Sequence, residues 1–143
     1  MKIVFLDIDG VMNCQQTAAR TRFDGFDEIP SQCLRHIVET TGAKIVVTGA
    51  LGRTISEHSL RVLFRNRGIA DASVIGVTRY REPRGDAITE WLNEQEAPVT
   101  NFVILDDAIG AHLTPHGHRL VRTNWRTGMT AREAQQAISM LSQ

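Results

Sequence analysis

Lys2-Ile3-Val4-Phe5-Leu6-Asp7-Ile8-Asp9-Gly10-Val11 decides how this chain is read. Ile3 to Leu6 form an apolar run without polar alternation, the pattern of a strand covered on both faces. The run stops at two carboxylates spaced by one residue, and Gly10 lets the backbone turn sharply out of the strand. Further apolar runs follow at Ala43–Val47, Ala72–Val77, Asn101–Leu105 and His118–Val121. Each predicts a short strand, and longer segments of helical character lie between them.

The spacing of Leu34, Ile37 and Val38 predicts a helix over Gln32–Thr41, with Ser31 as N-cap and Gly42 as its stop. Ser56–Asn66 and Gly85–Glu94 read as two more helices. Thr130 with Glu133 forms a Thr-x-x-Glu capping box ahead of the last one. Alternating strands and helices predict a three-layer, Rossmann-like α/β fold: a five-stranded, mainly parallel sheet with helices on both faces. At 143 residues, 42% hydrophobic and 22% charged, the chain fits one ordinary domain over 1–143 and is too apolar for disorder.

Several function classes fall away on composition. No apolar run approaches the ~20 residues of a membrane span, and Asp7 interrupts the N-terminal run too early for a signal peptide. Cys14 and Cys33 make neither a disulfide framework nor a metal motif, so a reduced, cytoplasmic protein is expected. Formal net charge is zero, so no global field advertises a polyanion partner. The basic residues are nevertheless almost all arginine, only Lys2 and Lys44 being lysines. Arg61, Arg65, Arg67, Arg79, Arg81 and Arg84 crowd one stretch. Guanidinium forks suit phosphate recognition, although such clusters are commonly solvated helix faces.

In open parallel sheets ligands bind beyond the carboxyl ends of the strands. Those ends carry Asp7 and Asp9 on the first strand, Thr48 and Gly49 on the second, and Asp106 and Asp107 on the fourth. Each alone is an ordinary turn former or strand residue. Four converging carboxylates would repel one another unless a hard cation with oxygen ligands, Mg²⁺ above all, lay among them.

Phe5-Leu6-Asp7-Ile8-Asp9-Gly10-Val11 resembles the first motif of the haloacid dehalogenase-like (HAD) superfamily, most of whose members are phosphatases. Val46-Val47-Thr48-Gly49 resembles its second motif, Arg84 at a helix start the basic residue of the third, and Val103-Ile104-Leu105-Asp106-Asp107 the acidic fourth. The order and context agree over almost the whole chain. The stretches Asp9–Asn13, Arg84–Leu92 and Thr123–Thr130 are similar to small HAD-like domains associated with RNA repair and to nucleotide phosphatases. Those relatives carry Ser-Ser-x-Trp-Arg after the second strand. Here Thr48-Gly49-Ala50-Leu51-Gly52-Arg53 keeps a hydroxyl and an arginine but lacks the tryptophan.

The resemblance implies a Mg²⁺-dependent phosphomonoesterase with Asp7 as nucleophile and Asp9 as general acid and base. Thr48, Gly49 and Arg53 would bind the phosphoryl group, and Arg84 would offset its charge, with Arg79 and Arg81 as competitors for that role. Asp7, Asp106 and Asp107, together with the Asp9 backbone carbonyl, would serve the metal. Residues 11–30 are left as a flap, too short for a cap domain. An open site favours a large phosphorylated substrate such as a nucleic-acid end, or a nucleotide covered by a partner subunit; nothing in the sequence sets an oligomeric state. Phe23, Phe26, Tyr80 and Trp125 lie in loops that look exposed and could stack on bases. Competing readings are a phosphotransferase and a non-catalytic, receiver-like module that binds phosphate and Mg²⁺.

Overall fold

The computed structural model describes residues 1–15, 26–49 and 55–143. Arg53, and Arg20, Arg22, Phe23 and Asp24 of the flap, lie outside the described residues. Five strands, β1 (Lys2–Leu6), β2 (Lys44–Val47), β3 (Val74–Val77), β4 (Asn101–Asp106) and β5 (Leu120–Arg122), form one sheet in the order β3-β2-β1-β4-β5. Every neighbouring pair is parallel. The helices are α1 (Glu28–Thr41), α2 (Glu57–Asn66), α3 (Arg84–Asn93) and α4 (Ala131–Leu141).

Alternation along the strands builds two cores, one on each face of the sheet. Val4, Leu6, Ile45, Val47, Val103 and Leu105 pack under α1, α2 and α4. Ile3, Phe5, Val46 and Ile104 turn the other way, against Ile88 and Trp91 of α3. Phe5 meets Trp91 and Phe102 edge-on, with ring centroids 5.5 and 5.6 Å away. Such aromatic pairs contribute about 0.5–1.5 kcal/mol each beyond burial, and they fix β1 beneath the residues that follow it. This is the expected three-layer α/β, HAD-like fold, and no cap domain is inserted among the described residues. No described helix is long and apolar enough to cross a membrane.

The element boundaries differ from the sequence reading where local chemistry intervenes. β3 and β5 start late because Asp71–Ser73 and Gly117–Arg119 wind into 3₁₀ turns first. Ser31 is not the N-cap of α1, which begins at Glu28 and buries Ser31. Pro30 fits in the first turn because an N–H there needs no helical partner. Asp27 occupies the cap position, but its Oδ2 accepts from Cys14 N at 3.0 Å and so ties the helix to the turn after β1. Thr130 and Glu133 do form the capping box at α4.

The arginine-rich stretch is largely neutralised in the fold. Arg65 pairs with Asp71 at 2.5 Å, Arg81 with Glu90 at 2.9 Å, and Arg79 with both Glu90 and Glu94. Arg61 reaches Glu57 and the Val74 carbonyl. Phe26, expected in an exposed loop, is buried against Phe64 with centroids 4.8 Å apart. Tyr80 and Trp125 are exposed, at 36% and 48%.

Candidate active site

Leu6 of β1 pairs with Val47 of β2 and Leu105 of β4. One residue further on stand Asp7, Thr48 and Asp106, and the ladder continues through them: Thr48 N donates to Leu6 O at 2.8 Å and Asp7 N to Leu105 O at 3.0 Å. By the strand period all three belong to the face of Phe5, Val46 and Ile104, the face covered by α3. The first residue of α3 is Arg84, so the sheet register and the start of one helix bring a carboxylate pair, a hydroxyl and a guanidinium together.

Arg84 Nη1 donates to both oxygens of Asp106, at 2.7 and 2.8 Å, and to Asp7 Oδ2 at 3.3 Å. Arg79 and Arg81 are engaged with the glutamates of α3, so Arg84 is the arginine that reaches the carboxylates. Asp7 and Asp106 are buried and Asp107 is half-buried, with one oxygen of each within 4.8 Å of the others. Ala108 N also donates to Asp106 Oδ1, at 2.8 Å.

The electrostatics leave this group short of positive charge. Burial first, then the Asp106 carboxylate, hold the Asp7 carboxyl well above its ordinary range, with Asp107 and Asp9 adding to the rise and Arg84 opposing it. Burial and then Asp106 push Asp107 up as well. For Arg84 burial works against the charge, but Asp7 and Asp106 outweigh it and raise its pKa. Three close carboxylates facing one guanidinium are a hard-oxygen donor set that fits a divalent cation such as Mg²⁺.

Gly49 has φ 87°, and a Cβ there would overlap Asp7 Oδ1. Only a hydrogen fits beside this carboxylate. The Thr48 hydroxyl, 3% exposed as a residue, has no hydrogen-bond partner among the described residues. A buried hydroxyl without a protein partner is costly, and a bound oxygen would satisfy it.

Asp9 is exposed and its carboxylate does not join the group of three among the described residues. It stands on the tight turn after β1, where Met12 N donates to Ile8 O at 2.8 Å. Asn13 holds that turn from within: its Nδ2 donates to Asp9 Oδ1 at 3.1 Å while its Oδ1 accepts from Gly10 N at 3.0 Å. From the far end of the chain, Thr123 Oγ1 donates to Gly10 O at 2.8 Å. Gly10 itself has φ 82°, and a Cβ there would overlap Asp107 Oδ2. The sequence reading gave Asn13 and Thr123 no role. Their only signal was their place in the stretches Asp9–Asn13 and Thr123–Thr130.

A search of curated proteins and of solved structures gave no match. One family model does match, over residues 3–134, described as the HAD domain in Swiss Army Knife RNA repair proteins. The HAD domain type is in general a phosphohydrolase scaffold, and the acidic group of Asp7, Asp106 and Asp107 is compatible with it. With nearly the whole chain covered, and with the expected residues at the ends of β1, β2 and β4, this protein belongs to the family of HAD domains in Swiss Army Knife RNA repair proteins.

Proposed function

We propose that this chain is a Mg²⁺-dependent phosphomonoester hydrolase that works through an aspartyl-phosphate on Asp7. The observation that carries the reading is the buried Asp7 carboxylate, clamped by Arg84 and level with the unsatisfied Thr48 hydroxyl. An Asp7 oxygen attacks phosphorus, an O–P bond forms, and the bond to the leaving oxygen breaks as Asp9 protonates that oxygen. Asp9 then takes a proton from water, whose oxygen attacks phosphorus and releases Asp7 and inorganic phosphate. Exposure suits Asp9 to this exchange, and Asn13 aims its carboxyl. Thr48 Oγ1 and the backbone of Gly49 face the transferred group, and Arg84 favours the ionised form of Asp7 against burial and its acidic neighbours while offsetting the phosphoryl charge. Asp7, Asp106 and the Asp9 carbonyl would hold Mg²⁺, with Asp107 beside it; the ion would neutralise phosphoryl oxygens and the mutual repulsion of the carboxylates. The family description speaks of RNA repair, and no cap domain is inserted among the described residues to enclose a small substrate. A phosphorylated polynucleotide end in the cytoplasm is therefore the substrate we assign to it.

The test is phosphate release from small phosphomonoesters and phosphorylated oligonucleotides, which is expected to require Mg²⁺; full turnover after thorough chelation would overturn the reading. Stability reports the same ion. Asp7 titrates above its ordinary value of 3.8 in the fold, so between those two values the native state binds more protons than the unfolded chain. Metal-free protein should thus lose stability as pH rises through that window, and Mg²⁺ should restore it. A melting temperature that ignores Mg²⁺ on the alkaline side of the window contradicts the assignment.

Thr48→Val separates function from folding. The hydroxyl makes no bond within the described fold, so the isosteric change is expected to leave the melting temperature unchanged or slightly raised. Turnover should drop by roughly 10²-fold, as for loss of one transition-state donor. Unimpaired turnover would remove Thr48 from the site.

A further inference from the structure

Beside the carboxylates a cleft of about 600 Å³ runs between the end of β5 and α4, and Asp107 and Trp125 line both it and a smaller one of about 190 Å³ at Asp9, Gly10 and Asn13. The two therefore meet at the catalytic edge. Arg122, Arg126 and Arg132 line the larger cleft, all three exposed and none paired with a carboxylate among the described residues. That sets them apart from Arg61, Arg65, Arg79 and Arg81, whose charges are answered within the fold. Glu133, the other acid on the cleft wall, is engaged by Thr130 N and Oγ1 in the α4 cap.

Trp125 sits half-exposed among these arginines on a turn that is already fixed. Gly128 N donates to Asn124 O at 2.8 Å, Gln15 N to Trp125 O at 2.9 Å, and Met129 N to Val11 O at 2.7 Å. The ring is thus carried by the same backbone that shapes the Asp9 turn, and little ordering remains to be done on binding.

We propose that this cleft is a second binding site, for the strand that continues behind the terminal phosphate of a single-stranded polynucleotide. The inference rests on the phosphomonoesterase reading of the adjoining carboxylates. Trp125 offers its face to a base near the end, and Arg126 and Arg132 hold backbone phosphates beyond it, with Arg122 at the Asp107 end. Arg122 Nε donates to Asp107 O at 3.1 Å, and no carboxylate answers the three charges among the described residues. A flat apolar face set among such guanidinium groups matches a polymer that alternates rings with charges. A phosphopeptide, with one phosphate and no repeating ring, would leave most of this surface unused. Because the chain has no net charge, the attraction is local and must be sensitive to salt.

The experiment measures binding of terminally phosphorylated ten-residue oligoribonucleotides and oligodeoxyribonucleotides, and of a phosphopeptide, to full-length Asp7→Asn protein by fluorescence anisotropy. Arg126→Glu/Arg132→Glu should weaken oligonucleotide binding at least tenfold at low salt. Loss of two phosphate contacts should flatten the slope of log affinity against log salt by about 1.4. Trp125→Ala should weaken binding by about tenfold without changing that slope, and Trp125→Phe should recover most of the loss. Preference for either nucleic acid supports the site and identifies the strand. Oligonucleotide binding indifferent to all three changes, or a phosphopeptide bound as tightly and with the same sensitivity, overturns it. Phosphate release by the wild-type chain, from small esters and from the phosphorylated oligonucleotides alike, is scored separately. Its absence alongside cleft-dependent binding sinks the catalytic reading alone; its presence alongside indifferent binding sinks this one alone.

Discussion

Asp7→Asn is expected to abolish phosphate release, a loss on the order of 10⁴-fold or more, because the amide cannot form the covalent intermediate. The fold should survive. Asn preserves the shape of the side chain, and the carboxylate it replaces is buried beside two like charges, so melting in the absence of metal should occur at the same or a higher temperature. Asp9→Asn gives the contrasting result: both the formation and the hydrolysis of the intermediate slow, by about 10²–10⁴-fold, because one carboxyl serves as acid and then as base. Mass spectrometry of acid-quenched wild-type protein should find the phosphoryl group on Asp7. Its recovery on any other residue would refute the mechanism.

Gly49→Ala carries a large effect at a residue with no side chain to take part in the chemistry. Its φ of 87° costs a residue with a Cβ about 1–2 kcal/mol. The added carbon would also overlap Asp7 Oδ1, so the carboxylate must turn away or the backbone must shift. Misplacing an attacking group by about 1 Å costs roughly 10²-fold. Turnover should therefore fall by at least that factor, with a measurable drop in melting temperature. A Gly49→Ala enzyme with normal kcat would show that Asp7 does not work from the position described.

How far the sequence reveals such a site depends on whether a feature is local. The β1 run, the Thr130–Glu133 capping box and the Asp7, Thr48 and Asp106 positions are written in contiguous residues, and parallel register then brings the strand ends level. Choosing Arg84 over Arg79 and Arg81 is not local. It depends on where Glu90 and Glu94 point once α3 is wound. The same blindness left a phosphate-binding reading of Arg61–Arg84 open beside that of a solvated helix face, since Glu90 and Glu94 meet Arg79 and Arg81 only in the fold. It also hid the cleft around Trp125: Arg122, Arg126 and Arg132 lie close together in the sequence, but only the meeting of β5 and α4 turns them toward one cleft. Ser31 suits a cap by residue type alone; Asp27 takes that position, with its side chain held by Cys14 N in the turn after β1.

The bond from Thr123 Oγ1 to Gly10 O spans 113 residues, and Met129 N closes on Val11 O in the same region. On a ribosome the carboxylates of β1 emerge first, yet the turn that aims Asp9 has no outer support until β5 and the segment before α4 have been made. A nascent or prematurely terminated chain thus has Asp7 without the frame that holds the Asp9 turn. On the proposed mechanism, competence would arrive late in synthesis, and incomplete copies would not act on phosphate esters.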